Sequence, residues 1–408
     1  MKICQINCIY GIGSTGKLTR DIHLTLLEKG LNSIVIVPLA NQFTCDKGVY
    51  VVSNKFLSYV SAALKRGLGM TFDWAHIQTL RIISILKREK PDVVHLQCIN
   101  GNNINIYMLL RYLASNNIKT LYTLHAEFPY TGGCGNSLKC RKWEQGCGKC
   151  PNLKAGTLSP FIDGTSRTWK KQKRSYELFK PDNLRFTAVS PWLLSQAEQS
   201  TMIIRFHKEV VLNGVDTGIF LYKEKAKKWK QKLGISDEEK LLIHVTAGFY
   251  PHSVNLKGGS YLLELANKLL NCKIKIVVAA NYGDGSNLPS NIIYIGRTKT
   301  QQELAALYQE ADLSIITSSN ETFGMPVAES LCCGTPIVGF RAGGPESIAL
   351  PEFSEFVEYG DATALYDCVF KWINITHDKK LISAQAIQMY SKNEMTQRYL
   401  NQYLALNR

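Results

Sequence analysis

Along the first half of the chain, short unbroken apolar runs alternate with stretches in which apolar residues recur every three or four positions. Ile3–Asn7, Ser33–Pro38, Val93–Gln97, Thr120–His125 and Phe186–Ser190 show the first pattern. Leu18–Lys29, apolar at 18, 22, 26 and 27, and Ile77–Glu89 show the second. Unbroken runs suit strands covered on both faces, and the 3.6-residue period suits helices packed on one side. The second half repeats the rhythm, with strands predicted at Leu241–Thr246, Ile274–Ala279, Ile292–Ile295, Leu313–Thr317 and Pro336–Phe340. Helices are predicted near 257–270, 301–310, 326–333 and 379–404. Two such series predict an α/β protein of two Rossmann-like domains with mostly parallel sheets, facing a central cleft. The periodicity breaks around Ser200, so the joint is expected between residues 191 and 215. That gives a first domain at 1–200, completed by a C-terminal helix at 390–408, and a second at 201–389.

Composition supports the division: 408 residues at 45% apolar exceed one domain of typical size. No apolar window approaches the roughly 20 residues of a membrane span; the segment 104–113 is among the longest. The first strand runs straight into a glycine turn, without the apolar stretch of a signal peptide, so a cytoplasmic location is expected. Charge is uneven. Residues 1–200 hold 26 Lys and Arg against 12 Asp and Glu, an excess of 14, whereas 201–408 hold 22 against 21, an excess of 1. Such a field draws anionic surfaces, and also serves plain solubility. Twelve scattered cysteines, several in apolar stretches, suit a reducing compartment.

Candidate chemistry falls at the ends of predicted strands. Gly11-x-Gly13-x-x-Gly16 follows the first strand and opens a helix, where backbone N–H groups can cradle an anion. A nucleoside-triphosphatase loop would need a hydroxyl at position 18, which is Leu; a dinucleotide site would need an acid near Val37–Asn41, which has none. His125 ends a strand, the position at which α/β sheets bind ligands. Cys134, Cys140, Cys147 and Cys150 follow C-x5-C-x6-C-x2-C. That spacing leaves structural zinc, disulfides and free thiols open; an all-cysteine set would leave no position for catalysis. Lys257-Gly258-Gly259 opens a helix with a lysine able to reach a diphosphate. Glu321-Thr322-Phe323-Gly324-Met325-Pro326-Val327-Ala328-Glu329 puts one carboxylate over a strand end and the next a turn into a helix. Both can accept from sugar or ribose hydroxyls.

The segment Glu321–Pro336, ETFGMPVAESLCCGTP, resembles the signature of glycosyltransferase family 4, retaining enzymes of the GT-B fold. So do Leu304–Asp312, Asn213-Gly-Val-Asp216 and Gly343-Gly344-Pro345-Glu346, and the cysteine-rich insert at 130–155 is similar to one in bacterial polysaccharide-biosynthesis members. The resemblance implies a nucleoside-diphosphate sugar as donor. It places Glu321 at the donor sugar, with Thr322, Phe323, Gly324 and Met325 along sugar and phosphate. Glu329 would hold the ribose, Lys257 the diphosphate, Gly13 and Ser14 phosphate or acceptor, and His125 the sugar. Glu321, Lys257 and His125 are thus the catalytic candidates. The family's usual arginine before the lysine is missing from Tyr250–Asn255; Arg297 is carried as a donor-side candidate although its spacing differs. Ala126 stands where the family often has Asp.

The implied chemistry is retaining transfer by front-side attack, in which the departing diphosphate takes the acceptor's proton. No Asp-x-Asp motif occurs, so no catalytic metal is expected. The implied acceptor is a glycan or polyprenyl-linked lipid of surface polysaccharide, lipopolysaccharide or capsule. Rival readings are a nucleotide-sugar epimerase of the same fold and a non-catalytic assembly scaffold. A nucleic-acid partner is not expected, because the basic residues lack a recognised module. Peripheral docking on the inner face of the plasma membrane is expected from Arg141, Lys142, Lys149, Lys154 and Arg167–Arg174, with Trp143 and Trp169 at the headgroups, and from amphipathic Leu57–Phe72 with Lys65 and Arg66.

Overall fold

The structure is a computed structural model that describes residues 1–68, 72–101, 103–153, 161–224, 228–253 and 255–408, with the side chains at 65–68 outside the description. Lys154 and the side chains of Lys65 and Arg66 thus lie outside the described residues. The chain divides into two compact units: Met1–Leu212 with Met395–Arg408, and Asn213–Glu394.

Unit 1 runs β1 (Lys2–Ile6), α1 (Gly13–Glu28), β2 (Asn32–Val37), β3 (Val49–Val51), α2 (Lys55–Leu68), α3 (His76–Glu89), β4 (Val93–Leu96) and α4 (Ile106–Ser115). It continues through β5 (Lys119–Leu124), α5 (Thr165–Glu177), β6 (Leu184–Ala188), α6 (Pro191–Glu198) and β7 (His207–Val210). Its parallel sheet has the order β3-β2-β1-β4-β5-β6-β7. The order in which successive strands are laid down reverses between β1 and β4, the switch point at which such sheets bind ligands.

Unit 2 contains α7 (Lys228–Lys232), β8 (Lys240–Phe249), α8 (Gly259–Lys268), β9 (Ile274–Gly283), β10 (Ile292–Gly296), α9 (Gln301–Glu310) and β11 (Leu313–Ile316). It goes on through α10 (Met325–Cys332), β12 (Ile337–Phe340), α11 (Gly344–Ile348), β13 (Ser354–Val357), α12 (Ala362–Ile373) and α13 (Lys379–Tyr390). The sheet order is β10-β9-β8-β11-β12-β13, again parallel, with its switch point between β8 and β11. A last helix, α14 (Lys392–Leu406), supplies unit 1 from Met395 onward. Two Rossmann-like units of this kind make a GT-B fold.

The apolar face of α1, Leu18, Ile22 and Leu26, packs with Ile3, Val93 and Leu121 of the sheet. Met395, Tyr399, Tyr403 and Leu406 of α14 complete the same cluster, all buried. A buried side chain of this size contributes about 1.5–3 kcal/mol, so α14 is part of what holds unit 1 together.

The structure departs from the sequence pattern in physically consistent places. The strands β3, β7 and β13 were not marked by apolar runs, and all three lie at sheet edges, where one flank stays open and polar residues are tolerated. The helix expected over 379–404 is two helices, because Ser391 leaves the helical conformation and forms a bridge with Val215. Helix α1 starts at Gly13 rather than Leu18, so the glycine turn is shorter and Gly13 and Ser14 belong to the first helical turn.

Candidate active site

In unit 2 the residues gather at the switch point. Lys257 lies in the loop after β8, and Glu321 in the loop after β11. The Lys257 ammonium donates to Glu321 Oε1 at 2.5 Å, with side-chain exposures of 33% and 23%, so the pair is reachable from solvent. Its backbone is set from both sides: Lys257 N donates to Asn255 Oδ1 at 2.9 Å, and Lys257 O accepts from Thr317 Oγ1 at 2.9 Å. Gly258 then adopts a φ of 67°, and a Cβ there would lie 2.0 Å from the Thr317 carbonyl oxygen, so only glycine fits. Glu321 is pinned by its own backbone, N to Ala342 O at 2.9 Å and O from Gly344 N at 2.8 Å.

The helices next to this pair open without side-chain caps. Gly258 precedes α8 and Gly324, φ 85°, precedes α10, and neither offers a side-chain acceptor. By contrast α9, α12 and α13 are capped by Thr300, Asp361 and Asp378. Uncapped N-termini leave backbone N–H groups for an anion. Phe323 is buried, Thr322 and Met325 are half-buried, and Glu329, also half-buried, accepts from the Tyr308 hydroxyl at 3.5 Å. Arg297 is not brought to the pair: it is exposed just past the edge strand β10, with β9 intervening before β8.

His244 was not singled out in the sequence. It is buried on β8, bonds Ile315 O through Nδ1 at 3.0 Å, and is pushed down to about 4 by burial, with the Lys257 charge adding to the effect. Among the described residues its Nε2 has no hydrogen-bond partner.

In unit 1 the glycine turn lies at the β1 side of the switch point. Gly11, φ 70°, donates to Gly16 O at 2.8 Å, and a Cβ on Gly11 would strike the Phe43 ring at 2.4 Å. Helix α1 has Ile12 at its N-cap and no side-chain cap; Gly13 and Ser14 are exposed. His125 follows β5 and is half-buried. Its Nε2 meets Gln97 Oε1 at 2.6 Å, and burial lowers its pKa to about 4. Gln97, His95 and Gln5 behind it are fully buried and were missed in the sequence. The signal was present as polar residues two apart at strand ends: Gln5 and Asn7, His95 and Gln97, Thr123 and His125. That spacing puts each pair on one sheet face.

The cysteine segment folds against unit 1. Cys134, Cys140, Cys147 and Cys150 line one cavity together with Trp143 and Thr165. Among the described residues no cysteine is disulfide-bonded, and no set of three or more His, Cys, Asp or Glu is arranged to hold a metal ion. The structure thus brings the four thiols to one cavity without forming the expected zinc ligand set. Burial raises Cys134 to about 11 and Cys147 to about 12, with the other cysteines of the group adding repulsion. Glu127, also unmarked in the sequence, anchors the loop by accepting from Ser137 N at 2.9 Å, and burial raises its pKa.

The expected role of Trp143 and Trp169 is corrected here. They are 2% and 6% exposed, and the Trp169 indole donates to Trp143 O at 2.8 Å. They are core residues because the insert covers them. Among the described residues of unit 1 the exposed aromatics are instead Phe56 at 73% and Tyr59 at 74% on α2, and Phe161 at 80% before α5. Among the described residues no helix is long and apolar enough to cross a membrane.

Residues 225–389 match the family described as Glycosyl transferases group 1, a span that lies wholly within unit 2 and leaves only that unit's ends unmatched. N-acetyl-alpha-D-glucosaminyl L-malate synthase of Bacillus anthracis is 26% identical over 199 residues, 44% of this chain and 48% of that protein. Alpha-monoglucosyldiacylglycerol synthase of Streptococcus pneumoniae is 30% identical over 152 residues, 33% of each. The matched stretch thus spans half or less of these relatives' length. The Anabaena protein Alr3699/HepE, solved with UDP-glucose, superposes with a TM-score of 0.63 at 15% identity, covering 98% of this chain and 99% of that one. The chain thus has the GT-B fold, and its second unit carries the stretch similar to the group 1 glycosyl transferases.

Proposed function

We propose that the protein transfers a sugar from a nucleoside-diphosphate sugar to a glycan or lipid-linked acceptor, with retention at the anomeric carbon. The observation that carries this is the reachable Lys257–Glu321 pair between two uncapped helix N-termini at the switch point of unit 2. Lysine and backbone N–H groups suit a diphosphate, and the glutamate, released from the lysine when phosphate arrives, accepts from sugar hydroxyls. Glu329 takes the ribose, and the amides of Thr322, Phe323, Gly324 and Met325 line the donor. Arg297 remains a candidate only if the donor reaches the edge of the sheet. In unit 1, Gly13 and Ser14 offer amides to phosphate or acceptor, and His125 a ring nitrogen to a sugar hydroxyl.

Charge develops on the diphosphate as the anomeric C–O bond breaks. The acceptor oxygen forms its bond on the same face, and its proton passes to the departing diphosphate. Lys257 and the helix N-termini stabilise that charge, and no metal ion is required. A panel of nucleotide sugars, scored for free nucleoside diphosphate with and without acceptor glycans, tests this. Release stimulated by acceptor, with the product's anomeric configuration retained, supports transfer. Interconversion of the nucleotide sugar without release would point to an epimerase, and no turnover of any donor to a scaffold.

The acceptor is proposed to be lipid-linked and met at an anionic inner membrane face, as in surface polysaccharide or lipopolysaccharide assembly. One relative is a synthase of a monoglucosyldiacylglycerol. Helix α2 exposes Phe56, Tyr59 and Val60, and α5 exposes Arg167, Lys170 and Arg174 along one face. Asp73, shortly after α2, binds Lys171 at 2.5 Å and Arg167 at 3.5 Å, tying the two regions together. Apolar side chains beside basic ones suit a headgroup layer. Zinc is the proposed occupant of the cysteine cavity because four thiols line it; they would have to close on the ion and lose their protons to bind it. Elemental analysis near one zinc per chain supports it; a ratio well below one half rejects it.

A further inference from the structure

The buried polar chain behind His125 has a direction, and the direction can be read from its far end. Thr19 O is a backbone carbonyl and only accepts. Gln5 Nε2 lies 3.2 Å from it and donates, which fixes the Gln5 carboxamide and turns Gln5 Oε1 toward Gln97. Gln97 Nε2 lies 3.1 Å from that oxygen and must donate in turn, which leaves Gln97 Oε1 as an acceptor. His125 Nε2 stands 2.6 Å from Gln97 Oε1, so Nε2 is the nitrogen that carries the hydrogen. Reversing Gln97 alone would oppose two carboxamide oxygens at 3.1 Å, and reversing both glutamines would oppose Gln5 Oε1 to Thr19 O at 3.2 Å. Each alternative buries two acceptors against one another without a proton, which is costly where water is excluded.

A second branch agrees. The remaining N–H of Gln97 points to His95 Nδ1 at 3.3 Å, which makes that nitrogen an acceptor and His95 Nε2 a donor. His95 Nε2 meets Thr123 Oγ1 at 2.7 Å, and Tyr403 OH, 2.7 Å from His95 Nδ1, donates to it. Each of these contacts then pairs a donor with an acceptor, with His95 Nδ1 shared between Tyr403 OH at 2.7 Å and Gln97 Nε2 at 3.3 Å. Gln5, Gln97 and His95 are each 0% exposed, so water does not offer competing partners.

We propose that Gln97, held by Gln5 against the Thr19 carbonyl of α1, is the positioning residue that locks His125 in its Nε2–H tautomer and leaves Nδ1 as the nitrogen that accepts. The glycine-turn helix and His125 are thereby coupled, since the carbonyl that starts the chain belongs to α1 itself. The consequence rests on the transferase reading: the histidine serves the donor sugar as a hydrogen-bond acceptor for a hydroxyl. The lock itself does not rest on that reading and is tested without any substrate.

The test is nitrogen NMR of ligand-free protein labelled at histidine, with the His125 signals identified by their loss in His125→Asn. The expected wild-type result at neutral pH is a protonated Nε2 and an unprotonated Nδ1. In Gln97→Met the acceptor is gone, and the preference should relax by roughly tenfold, the weight of one ordinary hydrogen bond. A protonated Nδ1 in the wild type overturns the proposal, whatever becomes of the variants. So does an unchanged tautomer in a folded Gln97→Met. Failure to find any donor sugar would defeat the transferase reading and leave the NMR result standing.

Discussion

The strand ends of the two units are polar in opposite ways. In unit 2 the switch point carries an ion pair, Lys257 to Glu321 at 2.5 Å, reachable from solvent. In unit 1 it carries buried carboxamides and imidazoles, Gln5, Gln97 and His95, ending at a His125 held neutral with a pKa of about 4. An ion pair can exchange its partner for a charged ligand, so it suits a diphosphate. A neutral, fully bonded network cannot answer to charge, but it fixes where donors and acceptors point. The first unit is thereby suited to hydroxyl groups, which differ in geometry rather than charge.

The largest effect should come from breaking the charged side. Lys257→Ala and Glu321→Ala are each expected to lower turnover about 100-fold or more, with circular dichroism unchanged. A variant keeping more than half its rate would remove that residue from the site. Next comes the backbone beneath the pair. Gly258→Ala must place a Cβ 2.0 Å from Thr317 O at a φ of 67°, whereas Gly30→Ala, at φ 74°, meets nothing within 4 Å. Both carry the left-handed penalty of about 1 kcal/mol, but only the first should distort the Lys257 loop. Thermal midpoints and turnover of the two variants separate strain from collision, and equal losses would mean the loop yields freely.

How much of this was legible in the sequence differs between the units for the same physical reason. In unit 2 the proposed chemistry lies in one contiguous segment, Glu321 to Glu329, and in one lysine beside two glycines, so spacing along the chain was enough to single those residues out. In unit 1 it is assembled across β1, β4 and β5, strands adjacent in the sheet and far apart in sequence. His125 was visible as a polar strand end; Gln97 and Gln5 were not, because a buried glutamine gains meaning only from what it faces. The edge strands β3, β7 and β13 escaped notice for want of an apolar run, whereas the edge strand β10 has one. Trp143 and Trp169 misled because basic neighbours in sequence do not show which side chains are covered.

A smaller effect tests the surface of unit 1. In vesicle flotation the protein should bind anionic and not neutral lipid, weakening as salt rises from about 0.15 M, where the screening length is about 8 Å. Lys170→Glu with Arg174→Glu should reduce binding severalfold, and Phe56→Asp with Tyr59→Asp should do so at any salt. Equal binding to neutral vesicles, or none to anionic ones, would leave a soluble acceptor as the better account.

The smallest effect is common to both units. Burial holds His125 and His244 near 4, against 6.5 for the free side chain, and lowers His95 and His23 as well. The unfolded chain takes up these protons as pH falls below about 6.5 and the folded one does not until about 4, so stability is lost through that window. The denaturant midpoint should therefore be lower at pH 5 than at pH 7, and equal midpoints would contradict the buried neutral state.

The central claim is that the charged switch point holds the donor's diphosphate and the neutral one does not. Calorimetric titration of a free nucleoside diphosphate, chosen as the one released in the donor panel, addresses it directly. Wild type and His125→Asn should bind with similar affinity, and Lys257→Ala should bind at least tenfold more weakly. Undiminished binding by Lys257→Ala, or its loss in His125→Asn alone, would contradict the assignment.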